Sequence, residues 1–145
     1  MILNVKKLRE DAVLPVRATE GSAGMDLHAL VDAPVTLAPG ERSMIPTGLA
    51  IALPSSDYVA LVFARSGLAI KKGITLSNCV GVIDSDYRGE LKVGLINQSK
   101  EPYTIEKGER IAQLVIMPVC LPEIAEAEDL DETDRGAGGF GSTGK

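Results

Sequence analysis

The chain is 145 residues long, 45% hydrophobic and 24% charged, which fits one compact core and excludes a wholly disordered chain, a collagen-like repeat and a membrane-spanning helix, since no apolar run approaches the ~18 to 20 residues a bilayer requires. Its net charge of −5 is unevenly placed: residues 1–118 hold 13 acids and 13 bases, residues 123–134 hold 7 acids and no base, and Arg135 and Lys145 follow. A neutral body lacks the broad basic field that duplex binding demands, which excludes a general nucleic-acid binder, although a few converging arginines can hold one small anion.

In chain order, the opening Met-Ile-Leu-Asn-Val-Lys-Lys places its charges after its apolar residues and no apolar stretch of signal length follows, so the expectation is a cytosolic protein. Short apolar runs then predict strands at 2–8, 35–37, 49–53, 58–63, 74–76, 80–83, 91–97 and 111–119. Between them Gly and Pro recur at turn-like intervals (Pro34, Pro39, Gly40, Pro46, Gly48, Pro54, Gly73, Gly89, Pro102, Gly108) and leave little room for long helices. The prediction is an all-β fold, a barrel or jelly roll, over residues 1–122, with one or two helical turns at 66–72 (SGLAIKK). Residues 123–134 form an acidic linker whose first part has helix-forming composition but no apolar stripe to anchor it. Residues 135–145, RGAGGFGSTGK, hold five glycines in eleven residues and are expected to order only on a bound partner. There is no internal repeat.

The chain has no Trp, three Tyr and two Phe, so aliphatic side chains must build the core, and Phe140 in a Gly-rich tail asks for a purpose. Cys79 and Cys120 stand in apolar, strand-like surroundings without a partner at metal-ligand spacing and are expected to be buried thiols. His28, the only histidine, has no acid or nucleophile at a telling spacing and is expected to be structural.

Three segments can carry chemistry. The tail satisfies GxGxxG through Gly136, Gly138 and Gly141 and the opening of a phosphate-loop pattern through Gly139, Gly144 and Lys145, but neither is followed by the helix it requires. What remains is a set of backbone N–H groups with Arg135, Ser142, Thr143 and the Phe140 ring, suited to closing over a phosphorylated base. In GVIDSDYRGEL, residues 81–91, an apolar strand delivers Asp84, Asp86, Tyr87 and Arg88 to its end, where a carboxylate can orient and deprotonate a water or hold a divalent cation; the plainer reading is a polar hairpin turn with its own salt bridges. In ARSGLA, residues 64–69, a helix opened by Ser66 offers N–H groups, a hydroxyl and Arg65 to an anion, or simply a serine cap beside a surface arginine. Asp26 in AGMDLHA and Arg110 and Gln113 in GERIAQ are uninformative alone.

Taken in order, AGMDLHA, FARSGLA, NCVGVIDSDYRGEL, GERIAQ and RGAGGFGSTG resemble the five motifs of the trimeric dUTP pyrophosphatase (dUTPase) family, from Ala23 to Gly144. The resemblance implies a jelly-roll-like β fold and a cytoplasmic homotrimer without nucleic-acid or membrane partners, whose three active sites each use segments of three chains. It also implies magnesium-assisted hydrolysis of dUTP to dUMP and pyrophosphate, which limits uracil in DNA and supplies dUMP for thymidylate synthesis. By family role, Asp84 would position and activate the water attacking the α-phosphorus, and Tyr87 would lie under the sugar and leave no space for a 2′-hydroxyl. Asn78, with the hairpin backbone through Gly81, Val82 and Ile83, would read the uracil edge, and Lys92 would also contact substrate. Arg65, Ser66, Gly67 and Gln113 would hold the phosphates on a second subunit, and Asp26 would help seat magnesium through bound waters. From a third subunit, Arg135, Gly141, Ser142 and Thr143 would clamp the phosphates while Phe140 covers the base. The rival readings are a dCTP deaminase or a bifunctional deaminase and pyrophosphatase, for which the hairpin lacks the expected Glu, and a non-enzymatic nucleotide-responsive binding protein.

Overall fold

The computed structural model describes residues 1–139. Among them, eleven strands and one helix follow in the order β1 (Asn4–Lys7), β2 (Met25–His28), β3 (Val35–Leu37), β4 (Arg42–Pro46), β5 (Leu49–Ala52), β6 (Tyr58–Phe63), α1 (Ser66–Lys72), β7 (Ile74–Leu76), β8 (Gly81–Ile83), β9 (Lys92–Asn97), β10 (Tyr103–Ile105) and β11 (Arg110–Pro118). They form open antiparallel sheets in a jelly-roll-like arrangement rather than one closed barrel: β2-β11-β6-β8, β4-β9-β7, and the ribbons β1-β5 and β10-β3.

Each predicted strand is present, trimmed by at most a few residues, and three further strands were not foreseen. In β2 the apolar Met25 and Leu27 alternate with Asp26 and His28, a half-buried pattern only four residues long and masked by its polar members. Strand β4 is an edge strand ending in Pro46, a residue tolerated there because no neighbour needs its missing N–H. Strand β10 carries the same apolar–Thr–apolar pattern as its ladder partner β3 and was missed in spite of it.

Between the sheets the core is aliphatic, with Leu27, Leu37, Leu49, Ile74, Leu95 and Leu114 fully enclosed and no Phe or Tyr among its buried members. Leu68 is the one residue of α1 that reaches this core, and the helix stops at Gly73, whose φ of 68° and an added Cβ 2.8 Å from the Ser99 backbone nitrogen both require glycine.

Among the described residues two polar side chains, Thr47 and Asn97, are buried, and both are hydrogen-bonded. Asn97 Nδ2 donates to the carbonyls of Leu37 at 2.9 Å and Glu101 at 2.8 Å, while its Oδ1 accepts from the N–H and hydroxyl of Ser99. Asn97→Leu keeps the volume but strips those four groups of their partner, so urea denaturation is expected to show a loss of about 1 to 3 kcal/mol or more.

The cysteines correct the sequence reading, for both are exposed. Cys79 sits in the turn between β7 and β8 with φ of 62°, and Cys120 follows the end of β11; their apolar sequence neighbours belong to strands that stop short of them. Residues 123–134 are exposed and carry neither helix nor strand.

Candidate active site

Strand β8 is an edge strand, paired to β6 through Ile83↔Ala60, Leu61↔Val82 and Val62↔Gly81. It ends at Ile83, so Asp84 leaves the sheet at its rim. A cavity of about 440 Å³ opens there, lined by Met44, Val82, Ile83, Asp84, Tyr87, Glu90, Leu91 and Lys92, a size that suits a small organic ligand. Asp84 also lines a second cavity on the outer side, shared with Val59, Ser85 and Leu121. The carboxylates of Asp84 and Asp86 enter no salt bridge or side-chain hydrogen bond among the described residues. The expected internal salt bridges of this turn are absent because Arg88 closes it differently, donating from Nη1 to the carbonyls of Ser85 at 2.7 Å and Tyr87 at 2.9 Å. An exposed, uncommitted carboxylate beside a cavity is free to accept a proton from water. Asn78 lies in the adjoining β7–β8 turn, its amide nitrogen 3.8 Å from where a Cβ on Gly81 would stand.

A second cluster forms where β2, β11 and the end of β6 meet. Gln113 stands opposite both Asp26 and Phe63 in the ladder, which brings β2 and β6 together across β11. Gln113 Nε2 donates to the Ala64 carbonyl at 2.9 Å, and its side chain occupies the space that a Cβ on Gly24 would need. Asp26, whose side chain is 14% exposed, accepts from Arg65 Nε at 2.8 Å on one oxygen and from Arg110 Nη1 at 3.1 Å on the other. Arg65 Nη1 also donates to the Arg110 carbonyl at 3.2 Å. Asp26 therefore acts first as the anchor that aims two guanidinium groups, each with N–H donors left for an anion.

Ser66 does not cap α1: the cap position is Arg65, with φ −89° and ψ 128°, and no side chain accepts there. The free first-turn N–H groups of Ser66 and Gly67 and the Ser66 hydroxyl are left beside the arginines. Lys71 and Lys72 in the last turn oppose the helix dipole and lie along the same cavity as Arg65 and Arg110.

These two halves do not meet within one chain. Asp84 follows the Ile83↔Ala60 pair near one end of β6, and Arg65 follows Phe63 at the other, so the strand separates them by roughly 17 to 20 Å at ~3.3 Å per residue.

His28, the register partner of Arg110, has a buried Nδ1 with no hydrogen-bond partner among the described residues, and burial, opposed by the nearby Asp26 charge, holds its imidazole below the usual histidine range. Nearby, Tyr103 donates to Glu109 in the turn that leads into β11, and burial together with that carboxylate pushes its phenol up to about 12. Arg135 donates from Nε to the Gly138 carbonyl at 2.9 Å in an exposed turn. The other tail residues expected to touch substrate, Phe140, Gly141, Ser142 and Thr143, lie outside the described residues.

Met44 and Glu90 line the rim cavity without having been singled out from sequence; Glu90 sits inside the quoted 81–91 segment, but its partner Gly48, accepted at 2.8 Å, is 42 positions away. The role of Arg110 as second partner of Asp26 was equally unreadable across 84 positions.

The family model described as dUTPase matches residues 10–144. A deoxyuridine 5′-triphosphate nucleotidohydrolase of Desulfitobacterium hafniense is 58% identical over 131 residues, covering 90% of this chain and 87% of its own length. Among solved structures, a mutant dUTPase of Staphylococcus bacteriophage 80alpha with dUpNHpp superposes with a TM-score of 0.89 at 32% identity, covering 99% of both chains. A dUTPase mutant from phage phi11 of S. aureus, described as revealing the coordination of a structural Mg(II) ion, gives 0.81 at 28% identity over 91% of this chain and 100% of its own.

Proposed function

The chain belongs to the dUTPase family and is a dUTP diphosphatase, and from that premise we propose that it releases dUMP and pyrophosphate at sites shared between the subunits of a homotrimer, with Asp84 orienting the attacking water. The water oxygen forms a bond to the α-phosphorus, the bond from that phosphorus to the α,β-bridging oxygen breaks, and the water proton passes to Asp84 and then to solvent. Tyr87 packs under the deoxyribose, and Asn78 with the backbone of Gly81, Val82 and Ile83 reads the uracil edge, beside Lys92. A second chain brings Arg65, Ser66, Gly67 and Gln113 to the phosphates. A third contributes Arg135, Gly141, Ser142 and Thr143 as phosphate donors and Phe140 as a cover for the base. Phosphoryl transfer of this kind asks mainly for positioning and charge neutralisation.

Among the described residues no three His, Cys, Asp or Glu side chains converge as a metal cage. Asp26 would help to hold a magnesium ion through bound waters, since each of its oxygens accepts one arginine and keeps a lone pair for a water. When bound, the ion neutralises triphosphate charge. The reaction removes dUTP from the DNA precursor pool, and its product dUMP feeds thymidylate synthesis. No helix of the described residues is long and apolar enough to cross a membrane.

The observation that carries this reading is the placement of Asp84 and the Arg65 cluster at opposite ends of β6. Subunit mixing tests it. Asp84→Asn and Arg65→Ala variants, each of low activity alone, are unfolded together and refolded at equal ratio; random assortment then gives about a quarter of the sites both intact halves, and roughly that share of wild-type activity returns. No recovery in mixed oligomers would place both halves in one chain. Pyrophosphate release from dUTP but not from dCTP, dTTP or UTP separates this reading from a deaminase and from a binding protein without turnover.

A further inference from the structure

Tyr87 is held from two sides by residues to which no role has yet been given. Its hydroxyl donates to the Glu90 carbonyl at 3.1 Å. Its ring lies across Gly89, where an added Cβ would meet the hydroxyl oxygen and stand 2.6 Å from Cζ and 3.0 Å from Cε2. The φ of Gly89 is not in the left-handed region, so glycine is required there by the ring and not by the backbone.

Glu90 is fixed in turn. Its Oε1 accepts from the buried N–H of Gly48 at 2.8 Å, in the turn between β4 and β5. The next residue is anchored to the same turn, Leu91 N–H donating to the Leu49 carbonyl at 2.7 Å and the Thr47 hydroxyl to the Leu91 carbonyl at 2.6 Å. The acceptor of the Tyr87 hydroxyl thus belongs to a seam anchored in the core, which fixes the point at which the ring is bonded.

We infer that Gly89 and Glu90 are positioning residues for sugar discrimination, Gly89 by leaving the space that the Tyr87 ring occupies and Glu90 by holding the carbonyl that pins its hydroxyl. The inference rests on the reading that Tyr87 excludes the ribose 2′-hydroxyl. A ring that merely floated near the sugar would yield to a hydroxyl; a pinned ring excludes it, and so separates 2′-deoxyribonucleoside from ribonucleoside triphosphates.

The test compares kcat/KM for dUTP and UTP in Tyr87→Ala, Gly89→Ala and the double variant, with thermal melts alongside. Because the added methyl meets the free end of a side chain, Gly89→Ala is expected to fold with an unchanged melting profile while the ring swings away. The dUTP to UTP ratio should then narrow by about ten-fold or more, and the double variant should narrow it no further than Tyr87→Ala alone. A narrowed ratio in Tyr87→Ala beside an unchanged one in Gly89→Ala overturns the inference and leaves the Tyr87 reading standing. An unchanged ratio in Tyr87→Ala removes both. Additive effects in the double variant place the action of Gly89 elsewhere and overturn it as well. Glu90 gives an independent arm: Glu90→Leu removes the acceptor of Gly48 N–H and should narrow the ratio, Glu90→Gln, which keeps an Oε1 acceptor, should recover most of it, and equal ratios in the two variants reject the role of Glu90.

Discussion

Asp84→Asn is expected to bind dUTP and to turn it over at least ~10²-fold more slowly, because the amide keeps the shape of the carboxylate but cannot take the proton of an attacking water. Binding should survive because the cavity wall is set by Val82, Ile83, Tyr87 and Leu91, and because in the proposed assembly the phosphates are held by the Arg65 cluster of a second chain and not by Asp84. Single-turnover kinetics with pyrophosphate detection separates the two effects. Near-normal turnover moves the base to Asp86, two residues further along the same exposed turn, or to Asp26. Of these Asp26 is the poorer base, since both of its oxygens already accept from arginines.

The contrast between the two carboxylates shows what the sequence could and could not convey. The strand leading to Asp84 is legible as an apolar run over 80–83 that gives way to polar residues, and the strand observed at Gly81–Ile83 ends where that change occurs. The helix at Ser66–Lys72 was legible from composition and its closing glycine. Asp26, by contrast, stands in a four-residue strand paired to β11 on one side and bridged to Val16 on the other, so its apolar signal is two residues and its meaning depends on which strands lie beside it. Its partners Arg65 and Arg110 are 39 and 84 positions away. Local pattern carries no information on such pairings; the family motifs named the residues but not the pair. Cys79 failed for a related reason, because a residue in a turn between two short strands has the same apolar neighbours as a residue within one.

The tail gives the other large effect. Deleting residues 135–145 should leave the body folded, since every buried core residue lies at or before Leu114 and the segment from 123 onward is exposed up to Ala137. The same deletion removes Arg135, Ser142, Thr143 and a run of glycine N–H groups, donors of the type whose single loss costs ~10² to 10³ in catalysis where they face developing charge, so kcat/KM for dUTP should fall by at least ~10²-fold. A chain without Trp also accepts Phe140→Trp as its sole indole, and either ring can stack on a base, a contact worth about 1 to 3 kcal/mol in nucleic-acid binders. The fluorescence of that variant then reports on the tail alone. Titration with a non-hydrolysable dUTP analogue and magnesium is expected to change the signal saturably, while dTTP should change it only weakly at the same concentration if the hairpin that reads the uracil edge leaves no room for the thymine methyl. A truncated protein with full activity, or an indole unmoved by saturating nucleotide, would show that the base is covered by something other than Phe140 and that the phosphates are held by Arg65 and its neighbours without the tail.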